Sequence, residues 1–73
     1  MSADQRTWEL LAEALSLPAN QIDETTDIET CPNWDSLAHF RIVAGIEAAI
    51  GRQLDPIEIA ELSGYQSVRA LIG

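Results

Sequence analysis

The stretch DSLAHFRIVAGIEAAIG, residues 35–51, predicts the longest helix of the chain. Asp35 is a favourable N-cap residue, and Gly51 suits the left-handed conformation that ends many helices. Between them apolar residues recur three and four positions apart. They form two adjoining rows, one with Leu37, Phe40, Val43 and Ala44 and the other with Ile42, Ile46 and Ile50. We expect this wide apolar surface to pack against the other helices, with Leu37 and Phe40 leading into the core.

A first helix is predicted from about residue 4 to residue 16, because apolar residues recur at helical spacing before Pro18 ends the pattern. Ser2 and Gln5 have the spacing of a capping box, and Asp4 is a rival cap. Gly45 in the long helix has an unfavourable helix propensity, which indicates a close contact between two helices.

A long loop is predicted over residues 17–34, where threonines, acidic residues and Pro32 replace the helical pattern. Loops of this length in small domains are usually functional or anchored. Leu17, Ile22 and Ile28 are expected to anchor this one in the core.

Two shorter helices are predicted after the long one. In DPIEIAEL, residues 55–62, Asp55 is the expected cap, Pro56 takes the first turn and Glu58 completes a capping box. A last helix is expected from about residue 66 to residue 72. No segment alternates for long enough to predict a strand. The predicted fold is therefore all-α, a small four-helix bundle of three main helices plus one short helix, with a long first loop.

Length and charge limit the function. Residues 1–73 are expected to form one domain with little volume for a deep substrate pocket. Four arginines, no lysine and twelve carboxylates give a net charge of −8, which argues against binding nucleic acid or an anionic membrane and favours a basic protein partner. One cysteine, no signal-peptide pattern and no membrane-length apolar run predict a cytoplasmic protein, expected to be a monomer.

Few residues could carry catalysis or bind a metal. His39 lies three positions after Ser36, so the two side chains could meet, but no G-x-S-x-G turn or glycine-rich oxyanion loop accompanies them. Cys31 and His39 are too few soft ligands for zinc, and the acidic loop DETTDIE, residues 23–29, does not match the calcium-loop pattern. We therefore predict no catalytic residue and no metal site, and expect His39 at the edge of the core.

Ser36 is the remaining candidate. At the start of the predicted helix it lies near unpaired amide groups and the positive end of the helix dipole, which suit an attached phosphate. The same position also fits an ordinary first-turn serine beside the cap Asp35. Position alone leaves both interpretations open.

The motif DSL, residues 35–37, entering a long amphipathic helix after a long loop, resembles the acyl carrier protein family. The resemblance covers nearly the whole chain, since TWELLAEAL, WDSLAHFRIVAGIEAAIG, DPIEIAELSGYQSV and RALI follow the family's order and spacing. It implies that a phosphopantetheinyl transferase attaches 4′-phosphopantetheine from coenzyme A to Ser36. The thiol of that arm would carry acyl groups as thioesters between loading and processing enzymes, such as an acyltransferase, ligase or synthase. The carrier itself is then not an enzyme.

The resemblance also assigns neighbouring positions. Asp35 and Leu37 flank the modified serine, and the expected partner contacts are Trp34, Ala38, Arg41 and Glu47. Ala38, Arg41 and Ala48 stand where fatty-acid carriers tend to keep acidic residues, and Trp34 resembles discrete carriers of secondary-metabolite pathways. We expect a polyketide-like or other specialised pathway. A stand-alone aminoacyl or D-alanyl carrier and a fatty-acid carrier are alternatives, and an unmodified helical interaction module is an alternative of another class.

Overall fold

The computed structural model describes residues 2–73 of the chain. These residues form four α-helices: α1 (Ala3–Leu15), α2 (Ser36–Ile50), α3 (Pro56–Glu61) and α4 (Tyr65–Ile72), with a single 3₁₀ turn at Ala19–Gln21 after α1. Within residues 2–73 the only strand-like pairing is one isolated bridge between Asp27 and Gly64. The predicted all-α fold of four helices is confirmed.

The start of α1 is capped by Ser2. Its hydroxyl oxygen accepts a hydrogen bond from the Gln5 backbone N–H at 3.1 Å. The Gln5 side chain donates to Glu9 at 3.3 Å instead of returning to Ser2. Only half of the predicted capping box forms, and Asp4 is not the cap.

The caps of α2 and α3 form as predicted. The Asp35 carboxylate accepts a hydrogen bond from the Ala38 N–H at 2.8 Å, and Gly51 ends α2 with a φ of 74°. At α3, Asp55 accepts from the Glu58 N–H at 2.8 Å while the Glu58 carboxylate accepts from the Asp55 N–H at 3.0 Å. Both helix starts are therefore fixed by residues within one turn of each other.

The core lies where α1, α2 and α4 meet. Its largest fully buried apolar side chains are Leu11 and Leu15 from α1, Ile42 and Ile46 from α2, Tyr65 and Val68 from α4, and Ile22 from the loop. The helix α3 contributes no buried side chain. A Cβ at Gly45 would lie 3.0 Å from the Leu10 side chain, so the predicted close contact between helices is confirmed for α1 and α2.

The core-facing side of α2 differs from the sequence prediction near its start. Ile42 is completely buried, but Leu37 and Phe40 are 61% and 74% exposed. The positions facing the core are instead Ala38 and Val43. The expectation that Leu37 and Phe40 lead into the core is wrong, because α1 and α4 cover only one side of α2 and the short α3 leaves the other side open.

The loop between α1 and α2 is held partly by backbone contacts. Ile22 is 1% exposed and anchors the loop as predicted, and Leu17 is half-buried. Ile28 is 43% exposed, so the prediction that it anchors the loop in the core is wrong. Its backbone N–H donates to the Ser63 carbonyl at 2.8 Å, which ties this part of the loop to the start of α4.

A bidentate ion pair holds the segment before α3. The Arg52 guanidinium donates to the two oxygens of the Glu58 carboxylate at 3.0 and 2.8 Å. This pairing, with the hydrogen bond from the Asp55 amide, lowers the pKa of Glu58 from 4.5 to about 2.

Glu58→Gln is expected to reduce stability above pH 4.5 and to lose this effect as the pH falls towards 2. The folded-state pKa of Glu58 lies below its unfolded value, so the carboxylate stabilises the fold when ionised in both states and stops doing so once it is protonated in both. Urea unfolding midpoints of wild type and variant should therefore converge in acid. Glu61→Gln is the matched control, because Glu61 is exposed on the same helix and forms no ion pair within residues 2–73. A Glu58→Gln difference that does not depend on pH would contradict the assignment.

Candidate functional site

Ser36 is exposed at the first position of α2. Capping is done by its neighbour Asp35, whose side chain accepts from the Ala38 N–H and whose carbonyl accepts from the His39 N–H at 2.9 Å. The Ser36 hydroxyl makes no hydrogen bond to any of residues 2–73. The N-cap of α2 is thus formed without this hydroxyl, which stays available for modification.

His39 does not pair with Ser36, although their spacing allows it. The His39 Nδ1 accepts a hydrogen bond from the Trp34 indole N–H at 3.0 Å, and Nε2 lies 3.0 Å from the Ile59 carbonyl oxygen. Because a carbonyl only accepts, Nε2 carries the proton of the bond to Ile59. Both nitrogens are occupied and the ring is half-buried, as expected for a polar residue at the edge of the core.

An open cleft of about 690 Å³ begins beside Ser36 and lies between the start of α2 and α3. Asp35 and His39 are its ionisable lining residues. Its remaining walls besides Ser36 are apolar, formed by Ile28, Trp34, Pro56, Ile59, Ala60 and Leu62. The cleft therefore offers an apolar surface to any group attached at Ser36.

The four expected partner contacts occupy different environments. Trp34 and Ala38 are 4% and 3% exposed, so both side chains belong to the core and a docked protein does not reach them in this conformation. Glu47 is half-buried, and its carboxylate accepts from the Leu54 N–H at 2.9 Å. Arg41 is exposed. The expected partner contacts of all four residues stay predictions, and those of Trp34 and Ala38 would need a change of conformation.

Three large apolar side chains are exposed on α2 and α3. Leu37 and Phe40 are 61% and 74% exposed, and Ile57 on α3 is 69% exposed. Leu37 and Phe40 lie three positions apart on one helix, and neighbouring apolar residues on a surface often mark an interaction site. The sequence indicates this exposure by the width of the apolar surface of α2, which is too wide to be buried completely against one side of the core.

Neither a metal site nor a membrane span is found in the part of the chain that the structure describes. Residues 2–73 contain no group of three or more His, Cys, Asp or Glu side chains that could hold a metal ion. No helix in this range is both long and apolar enough to cross a membrane.

Comparison with models of known protein families finds no match for the chain. Among curated proteins, an acyl carrier protein of Saccharopolyspora erythraea is 33% identical over 64 residues, which cover 88% of this chain. The chain is a relative of the acyl carrier proteins. The resemblance predicted from DSL and the order of the helices is thereby confirmed. The alignment covers 64% of the curated relative, less than two thirds of its length. That relative bears the name of a carrier, which agrees with the prediction that this chain is not an enzyme.

Proposed function

We propose that the protein is an acyl carrier protein in which Ser36 bears a 4′-phosphopantetheine arm. The observation that carries the proposal is the exposed Ser36 hydroxyl at the first position of the 15-residue helix α2. The helix start supplies amide N–H groups and the positive end of the dipole for a phosphodiester. The similarity to a protein named acyl carrier protein over 88% of the chain supports the same assignment.

The surroundings of Ser36 fit such an arm. Its hydroxyl is exposed and makes no hydrogen bond within residues 2–73, so attachment breaks no contact. The Asp35 carboxylate, the nearest negative charge in sequence, is held by the Ala38 N–H at 2.8 Å. The apolar cleft beside Ser36 gives the arm and its cargo a surface to lie on.

In the attachment reaction the Ser36 hydroxyl acts as a nucleophile once. Its oxygen forms a bond to the phosphorus of coenzyme A that bears the pantetheine, while the bond from that phosphorus to the adenosine 3′,5′-bisphosphate portion breaks. The hydroxyl proton goes to a base of the phosphopantetheinyl transferase, since both ring nitrogens of His39 are engaged. When bound, the arm supplies a terminal thiol that holds acyl groups as thioesters.

The proposed partners are the transferase and the enzymes that load and process the acyl group. The only carboxylate on α2, Glu47, is engaged by the Leu54 N–H, so α2 offers little negative charge to a basic partner despite the net charge of −8. Its exposed surface is instead apolar, with Arg41 as its cation. This departure from the acidic pattern of fatty-acid carriers supports a specialised pathway, including a polyketide pathway. The aminoacyl or D-alanyl carrier is the alternative, distinguished by whether an adenylating ligase loads the arm with an amino acid.

Phe40→Ala is expected to lower kcat/KM for phosphopantetheine transfer by about fivefold or more, because truncating an aromatic side chain that is a hot spot of a docking surface costs more than about 1 kcal/mol. Steady-state kinetics with a broad-specificity transferase measures this effect. The control is Arg6→Ala, which removes an exposed side chain from a different helix, α1, and should leave kcat/KM unchanged. Equal kinetics for the Phe40→Ala variant and wild type would exclude Phe40 from the docking surface.

The proposed function is tested by the intact mass of the protein after incubation with coenzyme A, Mg²⁺ and a broad-specificity phosphopantetheinyl transferase. We expect the mass to rise by one phosphopantetheine group. An unchanged mass for a folded protein would favour the unmodified helical interaction module instead. Loading assays with adenylating ligases and acyltransferases then separate the two kinds of carrier.

A further inference from the structure

His39 connects the segment before Ser36 with the helix on the other side of the cleft. Its Nδ1 accepts the Trp34 indole N–H at 3.0 Å, and its Nε2–H donates to the Ile59 carbonyl at 3.0 Å. Trp34 and Ile59 both line the cleft beside Ser36. Within residues 2–73 the His39–Ile59 bond is the only side-chain hydrogen bond between α2 and α3.

The helix α3 has few other means of holding its place. It has six residues and no buried side chain, and a helix this short has little stability of its own. Its capping box and its ion pair with Arg52 lie within the local segment 52–61 and do not reach α2. The buried residues Leu54 and Leu62 anchor the chain just before and just after α3. Between these two anchors Ile59 packs against the core, and His39 makes the one side-chain hydrogen bond from α2 to α3 within residues 2–73.

We propose that His39 is a positioning residue that holds α3 against the start of α2 and fixes the opening of the cleft beside Ser36. Its two hydrogen bonds set two walls of the cleft at once, Trp34 on one side and Ile59 on the other. This inference concerns the unmodified protein and does not require that Ser36 be modified. Its consequence for a carrier, that His39 controls the apolar surface nearest the attachment point, does rest on the proposed function.

The two bonds require one form of the imidazole ring. Adding a proton to Nδ1 places two N–H donors against each other, which breaks the bond to Trp34 and leaves the bond to Ile59 intact. The other ionisable residue lining the cleft is Asp35, which is held by the Ala38 N–H. On α3 the neighbouring carboxylate is Glu58, which is paired with Arg52. Both carboxylates are thus engaged elsewhere, and both walls are held only in the tautomer whose Nδ1 carries no proton.

Two substitutions separate the two bonds. His39→Asn can keep an acceptor near the position of Nδ1 for the Trp34 N–H but loses the donor to Ile59. His39→Gln can keep a donor near the position of Nε2 for the Ile59 carbonyl but loses the acceptor for Trp34. The pair therefore distinguishes a role in holding α3 from a role in holding Trp34.

Amide hydrogen exchange, measured by NMR on the unmodified protein, tests the proposal. The reporters in α3 are the N–H groups of Ile59 and Leu62, which donate to the Asp55 and Ile59 carbonyls. We expect His39→Asn to speed their exchange about fivefold, as loss of one hydrogen bond implies, while His39→Gln stays within about twofold of wild type. Core amides of α2 and α4, such as that of Ile46, should not follow. Equal acceleration in all helices would overturn the proposal, and so would unchanged exchange in the Asn variant.

The wild-type protein supplies a second test if the variants fold poorly. Long-range ¹H–¹⁵N NMR should find the ring proton of His39 on Nε2 and none on Nδ1, as the bonds to the Ile59 carbonyl and the Trp34 indole require. A proton on Nδ1 would overturn the proposed bond to Trp34. Both tests use the unmodified protein. A negative result in them would not contradict attachment at Ser36, and a lack of attachment would not contradict the role of His39.

Discussion

Ser36→Ala is expected to abolish attachment of phosphopantetheine completely. After incubation with coenzyme A, Mg²⁺ and transferase, the variant should keep the mass of the unmodified chain, because the attacking oxygen is missing. The fold should be unaffected, since the Ser36 hydroxyl makes no hydrogen bond within residues 2–73 and Asp35 still caps α2. Alanine is also a better helix former than serine. We expect a change in unfolding free energy of no more than about 0.5 kcal/mol.

A second serine variant controls for non-specific modification. Ser63 is exposed in the turn before α4, and Ser63→Ala also removes one hydroxyl group. This variant should gain one phosphopantetheine group as wild type does. A mass gain in Ser36→Ala would show that another residue accepts the arm, and would remove the main support for the proposed site.

Ile42→Ala is expected to cost about 2–5 kcal/mol of unfolding free energy, the usual range for large-to-small substitutions in a core. Ile42 is completely buried where α2 meets the other core helices. For a protein of this size such a loss is a large part of the total stability, which is typically about 5–15 kcal/mol. Urea unfolding followed by circular dichroism measures the loss.

Phe40→Ala is the matched control on the same helix. Phe40 is larger than Ile42 but 74% exposed, so its removal should change the unfolding free energy by no more than about 0.5 kcal/mol. If Ile42→Ala does not fold, Ile42→Val should still cost about 0.5–1.5 kcal/mol. A greater loss for Phe40→Ala than for the Ile42 variants would mean that the other row of α2 faces the core.

Helix caps that form within one turn could be predicted correctly from the sequence. The caps of α2 and α3 depend on residue pairs three positions apart, Asp35 with Ala38 and Asp55 with Glu58, and both form. The half-formed capping box at Ser2 shows the limit of such rules, since Gln5 has a competing partner in Glu9 on its own helix.

The side of α2 that faces the core could not be predicted from such local patterns. Both apolar rows have helical spacing, and the choice between them depends on where α1 and α4 pack. The sequence therefore predicts Leu37 and Phe40 in the core, although α3 is too short to cover them. Likewise the loop near Ile28 is held by a backbone bond to Ser63, 35 residues later in the chain, which no local pattern predicts.

The sequence predicts Ser36 as the centre of the candidate site, because a cap, a serine and a leucine stand together at a helix start. That assignment stays a prediction, and the surroundings of Ser36 could not be predicted. The bonds of His39 could not be predicted, since Ile59 lies 20 residues away in sequence. The burial of Ala38 could not be predicted for the same reason, because it follows from packing between distant segments.

The most direct test of the account is to locate the added group by fragmentation mass spectrometry of wild-type protein treated with coenzyme A, Mg²⁺ and transferase. The account predicts one phosphopantetheine group on the peptide that contains the DSL motif, with fragment ions assigning it to Ser36. Folded protein without the group, or with the group on any other residue, would contradict the claim that Ser36 is the attachment point of a carrier.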